Sequence, residues 1–110
     1  MIDWNRINEL RDEIGEEDFA DVAQMFLVEV DAAIEQLRTA PELDSLAEDL
    51  HFLKGSAINL GFSAFAELCA SGEYTARESD PSEVDVVEVV KCYDKSRVLF
   101  IESPLICGAA

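Results

Sequence analysis

The stretch Ser45-Leu46-Ala47-Glu48-Asp49-Leu50-His51-Phe52-Leu53-Lys54-Gly55-Ser56-Ala57-Ile58-Asn59-Leu60-Gly61 reads as one amphipathic helix with its own stop. Leu46, Leu50, Leu53, Ala57 and Leu60 recur at alternating steps of four and three, which places them on one stripe of a 3.6-residue helix. Asp44 is a plausible N-cap, and Gly61 supplies the left-handed residue on which helices commonly end. Ser63 can then cap a fourth helix running to about Glu78, with Phe65, Ala66, Leu68, Cys69 and Tyr74 expected inward. So short a link forces the two helices into an antiparallel hairpin.

The same periodicity extends in both directions. A first helix fits Asp3 to Ile14, with Ile7, Leu10 and Ile14 on one side and Gly15 as its stop, and is expected to lie across the others as a lid. A second runs from about Asp18 to Thr39, with Phe19, Val22, Ala23, Phe26, Val30, Ile34 and Leu37 on one stripe and Pro41 beyond its end. A fifth is signalled by Asp80 as N-cap, Pro81 at the first helical position and Glu83 as reciprocal capping partner. Val87, Val90, Tyr93, Asp94, Val98 and Ile101 carry it to about Glu102, before Ser103 and Pro104. The expected fold is therefore all-α: an antiparallel up-down-up-down four-helix bundle with an additional short N-terminal helix. Residues 1–102 form the helical domain and residues 103–110 a C-terminal tail.

Composition narrows the function. The chain has 110 residues, enough for one modest core, and a net charge of −16, which disfavours nucleic acid and anionic membranes as partners. Apolar runs are too short for a membrane span and no signal segment opens the chain, so a soluble, cytoplasmic protein is expected. The three cysteines, Cys69, Cys92 and Cys107, lack the spacing of a zinc site or a disulfide framework. Cys107 stands four from the end, but Gly108 follows it and no basic cluster precedes it, against a prenylation signal. With acidic helix faces the chain is expected to be a monomer, the alternative being dimerisation through Leu105 and Ile106.

One helix breaks its own rules. Gly55 sits in the interior of the third helix, where glycine costs about 1 kcal/mol relative to alanine. Ala47, His51, Lys54, Gly55 and Ile58 are spaced to share one face. That face offers an imidazole, an ammonium group one turn away, and bare backbone over which a partner can approach, with Ala47 and Ile58 as apolar contacts. Arg38 is the only other basic residue between Arg11 and Lys54. A positive charge one turn from an imidazole keeps the ring neutral and nucleophilic, then stabilises a dianionic phosphoryl group placed on it. Taken singly, each residue has an ordinary explanation: a solvated histidine, a solvated lysine, a glycine where another helix packs closely.

The string from His51 through Lys54, Gly55 and Ser56 to Gly61 resembles the signature of histidine-containing phosphotransfer (HPt) domains of bacterial two-component phosphorelays. The resemblance implies an up-down four-helix bundle with an added N-terminal helix. It implies that His51 accepts a phosphoryl group from a receiver-domain aspartate and passes it to another receiver, that Lys54 stabilises the phosphohistidine, and that Gly55 leaves room for docking. Ser56 is expected to bond locally or pack between helices. A residue about as far beyond Gly61 as His51 lies before it should face the site, which points to Glu73; it would orient His51 through Nδ1, unless it is simply a solvated carboxylate. Two positions depart from the family's pattern: Leu50 stands where alanine is frequent and Gly72 where a larger apolar residue is common, and Gly72 is expected to loosen the fourth helix.

The implied partners are response-regulator receiver domains and a hybrid sensor histidine kinase. No nucleotide-binding loop or metal-carboxylate cluster is recognisable. The expected role is thus a carrier without kinase activity or cofactor of its own, Mg²⁺ being supplied by the receiver. The alternatives are the phosphoacceptor domain of a chemotaxis-type histidine kinase, or a non-catalytic helical adaptor with an inert histidine.

Overall fold

The computed structural model describes residues 1–103, all of whose regular structure is helical. The expectations for Cys107 and for Leu105 and Ile106 lie outside these residues. Five α-helices run in order: α1 (Trp4–Ile14), α2 (Glu16–Thr39), α3 (Leu46–Leu60), α4 (Ser63–Glu78) and α5 (Val86–Ile101). No helix among the described residues is long and apolar enough to cross a membrane.

Asp3 caps α1, its carboxylate accepting the backbone N–H of Arg6 at 3.2 Å. A single residue, Gly15, separates α1 from α2 at φ +100°, a region open to glycine and strained for other residues. Because that break is so short, α2 starts at Glu16 rather than near Asp18, with three carboxylates in its first turn, where the helix dipole favours them. Its buried stripe is Phe19, Ala23, Leu27, Val30, Ile34 and Leu37; Val22 and Phe26 lie at its edge.

The α3–α4 connection is a Schellman motif: the N–H of Phe62 bonds the carbonyl of Ala57 at 2.8 Å, and Gly61 at φ +74° donates to Ile58. Gly61 has no substitute here, since a Cβ would stand 2.7 Å from the Asp3 carbonyl oxygen. That carbonyl borders a backbone bond from Asp3 N–H to Gly61 O at 2.7 Å, which ties the start of α1 to the hairpin turn. Accordingly α1 packs on α2 and α3, while α2 meets α3 and α5, and α4 meets α3 and α5. The fully buried leucines Leu46, Leu50, Leu53 and Leu60 are the α3 contribution to the core, each worth about 1.5–3 kcal/mol of burial.

Several local expectations are corrected. The fifth helix does not begin at Asp80: Asp80 accepts the N–H of Ser82 and caps only a short 3₁₀ turn, Pro81–Glu83, and Glu83 accepts from the Ser79 hydroxyl instead of closing a reciprocal box. Val84 is extended, and Asp85 caps α5 by accepting the N–H of Glu88. The restart rotates the helix relative to the expected stripe. Val87 and Val98 are exposed, and the inward face is Val89, Val90, Cys92, Tyr93, Ser96 and Phe100. Asp94 lies at the edge, paired with Arg38 of α2. Asp44 sits within a 3₁₀ turn, Leu43–Ser45, and does not cap α3. Ser63 is the first residue of α4 and donates to the carbonyl of Met1. Tyr74, expected inward, is 70% exposed, because the buried stripe of α4, Phe65, Cys69, Gly72, Glu73 and Ala76, steps past it.

The far side of the core is aromatic. Phe62, Phe65, Tyr93 and Phe100 stack edge-on or tilted, with centroids 5.2–6.2 Å apart. The buried Tyr93 hydroxyl donates to Asp31, which also receives Arg97 through two bonds of 2.9 Å, joining α5 to α2.

Candidate functional site

His51 stands on the outer face of α3, its side chain 65% exposed. Lys54 lies one turn on, and Gly55, which follows it, is exposed; a Cβ added there would meet nothing within 4 Å. Ile58 is exposed and Ala47 half-buried on the same face. Ser56 turns the other way and is buried. The i, i+3, i+4 arithmetic thus delivers the arrangement expected of it.

Glu73 on α4 closes the site. Although a carboxylate, it keeps only 11% of its side chain exposed, and three donors converge on it. Lys54 Nζ donates to Oε1 at 2.6 Å, while His51 Nδ1 and Arg77 Nε each lie 3.1 Å from Oε2. The ammonium of Lys54 holds the Glu73 carboxyl well below its ordinary 4.5, to about 2, against the opposing effect of burial and with help from Arg77. Glu73 is therefore ionised at neutral pH, and an ionised carboxylate only accepts hydrogen bonds. It follows that Nδ1 of His51 carries a hydrogen and donates it to Glu73, so that Nε2, across the ring, is the nitrogen not engaged by that carboxylate.

This geometry revises the electrostatics expected from sequence. The charge of Lys54 is met by Glu73 and is not free to act on the imidazole alone. Two cations on one anion leave the cluster with a net charge of +1 beside His51, in a chain of net charge −16. Arg77 is the residue that sequence reasoning missed; its signal was its position four residues after Glu73 on one helix, a spacing that brings side chains together. Lys54, Ala70, Glu73, Tyr74, Arg77 and Glu78 line a shallow cleft of about 250 Å³, the Glu78 carboxylate offsetting part of the cluster's positive charge.

The expectation that Gly72 loosens α4 is overturned. A Cβ at Gly72 would lie 2.9 Å from Leu50 Cδ1 and 3.3 Å from Val84 Cγ1, so the leucine fills the space that the glycine leaves. Leu50 and Gly72 thus belong to one packing arrangement. Below the site, Cys69 is buried, which pushes its thiol up to about 12 and keeps it protonated and unreactive. Among the described residues, no group of three or more His, Cys, Asp or Glu side chains is placed to hold a metal ion.

Comparison with known families matches the Hpt domain model over residues 21–97, which spans most of α2 through most of α5. Comparisons with curated proteins and with solved structures give no match.

Proposed function

Since the chain belongs to the Hpt domain family and so has a histidine-phosphotransfer role in two-component phosphorelays, we propose that His51 is the residue phosphorylated, receiving its phosphoryl group from one receiver-domain aspartate and passing it to another. Hpt domains are phosphoryl carriers that interact with response-regulator receiver domains and with kinases. The single observation that carries the assignment is the pairing of an exposed imidazole with a carboxylate on Nδ1 alone.

The chemistry follows from that pairing. The Nε2 lone pair attacks the phosphorus of the aspartyl phosphate, an N–P bond forms, and the P–O bond to the aspartate breaks, with its electron pair leaving on the carboxylate. Positive charge grows on the ring as the bond forms, and Glu73, already accepting the Nδ1 hydrogen, stabilises it. Lys54 and Arg77 lie close enough to Glu73 to share in neutralising the incoming dianion. Gly55 leaves backbone bare where the receiver approaches, with Ala47 and Ile58 as flanking contacts. Return of the group to a second receiver reverses these steps. The Mg²⁺ of the reaction belongs to the receiver, and this chain acts as a carrier with no cofactor of its own. A hybrid sensor kinase is the natural upstream source.

The domain in this reading covers residues 1–102, with α2–α5 as an up-down-up-down bundle, α1 added to it, and the chain a monomer. Support for the antiparallel order comes from contacts that run in opposite senses along paired helices: Phe62 with Phe100 and Phe65 with Tyr93 at α4–α5, and Asp31 with Arg97 and Arg38 with Asp94 at α2–α5. The test is incubation with a phosphorylated receiver. Wild type gains acid-labile phosphate and His51→Gln gains none; equal labelling of both overturns the assignment, and no labelling by any receiver favours an inert adaptor.

A further inference from the structure

Glycine in the middle of a helix costs about 1 kcal/mol relative to alanine, and Gly72 has no positive φ to require it. What does require it is the approach of Leu50. The leucine is fully buried, and one of its δ-methyls occupies the place of the missing side chain. An added methyl at 72 would be caught between Leu50 on one side and Val84 on the other. In a core packed to crystal density, neither neighbour swings aside without disturbing others.

The position of this contact matters because of its sequence neighbours. Leu50 immediately precedes His51, and Gly72 immediately precedes Glu73. In an antiparallel pair, the buried contact 50–72 and the rim contact 51–73 therefore lie at one level, the second directly outside the first. The distance between α3 and α4 at that level determines whether the Glu73 carboxylate reaches both His51 Nδ1 and Lys54 Nζ.

We propose that Leu50 and Gly72 are positioning residues: their knob-and-hole contact sets the α3–α4 separation at which Glu73 holds His51 in the Nδ1–H form. The two residues act as a unit, a large side chain on α3 facing a missing one on α4, so that changing either alone opens the His51–Glu73 bond. The effect on phosphoryl transfer rests on the reading of His51 as acceptor; the effect on the imidazole does not.

The test reads the imidazole itself. In ¹⁵N spectra at neutral pH, wild type shows His51 protonated at Nδ1, whereas a free imidazole favours the Nε2–H form. Gly72→Ala is expected to shift His51 toward the free-ring pattern, at a temperature where circular dichroism shows the helices intact. Leu50→Ala/Gly72→Ala, which restores room for the new methyl, is expected to recover the Nδ1–H signature. Leu50→Phe enlarges the knob instead of the hole, carries the same prediction as Gly72→Ala, and serves if that variant does not fold. Phosphoryl acceptance should follow the spectra, falling about ten- to a hundredfold in the single variants. An unchanged His51 spectrum in a single variant, or a double variant no better than Gly72→Ala, overturns the proposal. Failure of wild type to accept phosphate, with the spectra as expected, would instead overturn the relay assignment and leave this one standing.

Discussion

Glu73 concentrates most of the site's physics in one side chain. Three donors hold its carboxyl at about 2 instead of the ordinary 4.5, so it binds its proton less readily in the folded chain than in the unfolded one. A group depressed in this way stabilises the fold fully above the unfolded value, and the contribution is lost as pH falls through the folded value. Thermal melts of wild type and Glu73→Gln across pH 2–7 should therefore differ most above about pH 5 and converge toward about pH 2. A gap that stays constant over that range would mean that the carboxylate contributes no charge-linked stability. The same variant should slow phosphoryl acceptance about ten- to a hundredfold, the worth of a hydrogen bond to a charged group. His51, Lys54 and Gly55 were legible from helical spacing alone, and Glu73 from reflection about Gly61. Arg77 was not, since a basic residue on an acidic helix reads as a solvated side chain until the face turned toward α3 is known.

At the level of elements, the α3–α4 hairpin is the most strongly specified piece. Its stop residue, Gly61, needs both the left-handed conformation and the absence of a side chain against the Asp3 carbonyl. Gly61→Ala is expected to cost about 1–3 kcal/mol, seen as a drop of roughly 4–8 °C in Tm for each kcal/mol, with α1 loosened first. A change in Tm within error would show that the turn has slack. This helix and its stop were readable because leucine period and glycine agree. The start of α5 was not, because two aspartates, Asp80 and Asp85, each present a valid cap, and the choice falls to the one that leaves Val84 extended and packed beside Gly72. Gly72 itself was misread for a related reason: a missing side chain looks like a void until the leucine that fills it, on another helix, is seen.

Over the whole molecule, charge is badly unbalanced. Among the described ion pairs, Arg6, Arg11, Arg38, Lys54, Arg77 and Arg97 are already engaged, against 24 acidic residues in the chain. The surplus of carboxylates repels itself, and salt screens that repulsion over a Debye length of about 10 Å at 0.1 M. Tm should accordingly rise between about 0.01 and 0.3 M NaCl; a fall would mean that the surface ion pairs outweigh the repulsion. Within this negative field, Lys54 and Arg77 converge on the single carboxylate of Glu73, and in the proposed function these two cations stand beside the phosphoryl acceptor. The measurement that tests this most directly is NMR of the chain after incubation with a phosphorylated receiver, reading which nitrogen of which residue bears the phosphorus. A single N–P bond at Nε2 of His51 is expected, with Nδ1 still bonded to hydrogen; phosphorus on Nδ1, or on any other side chain, would rule out the proposed role of His51.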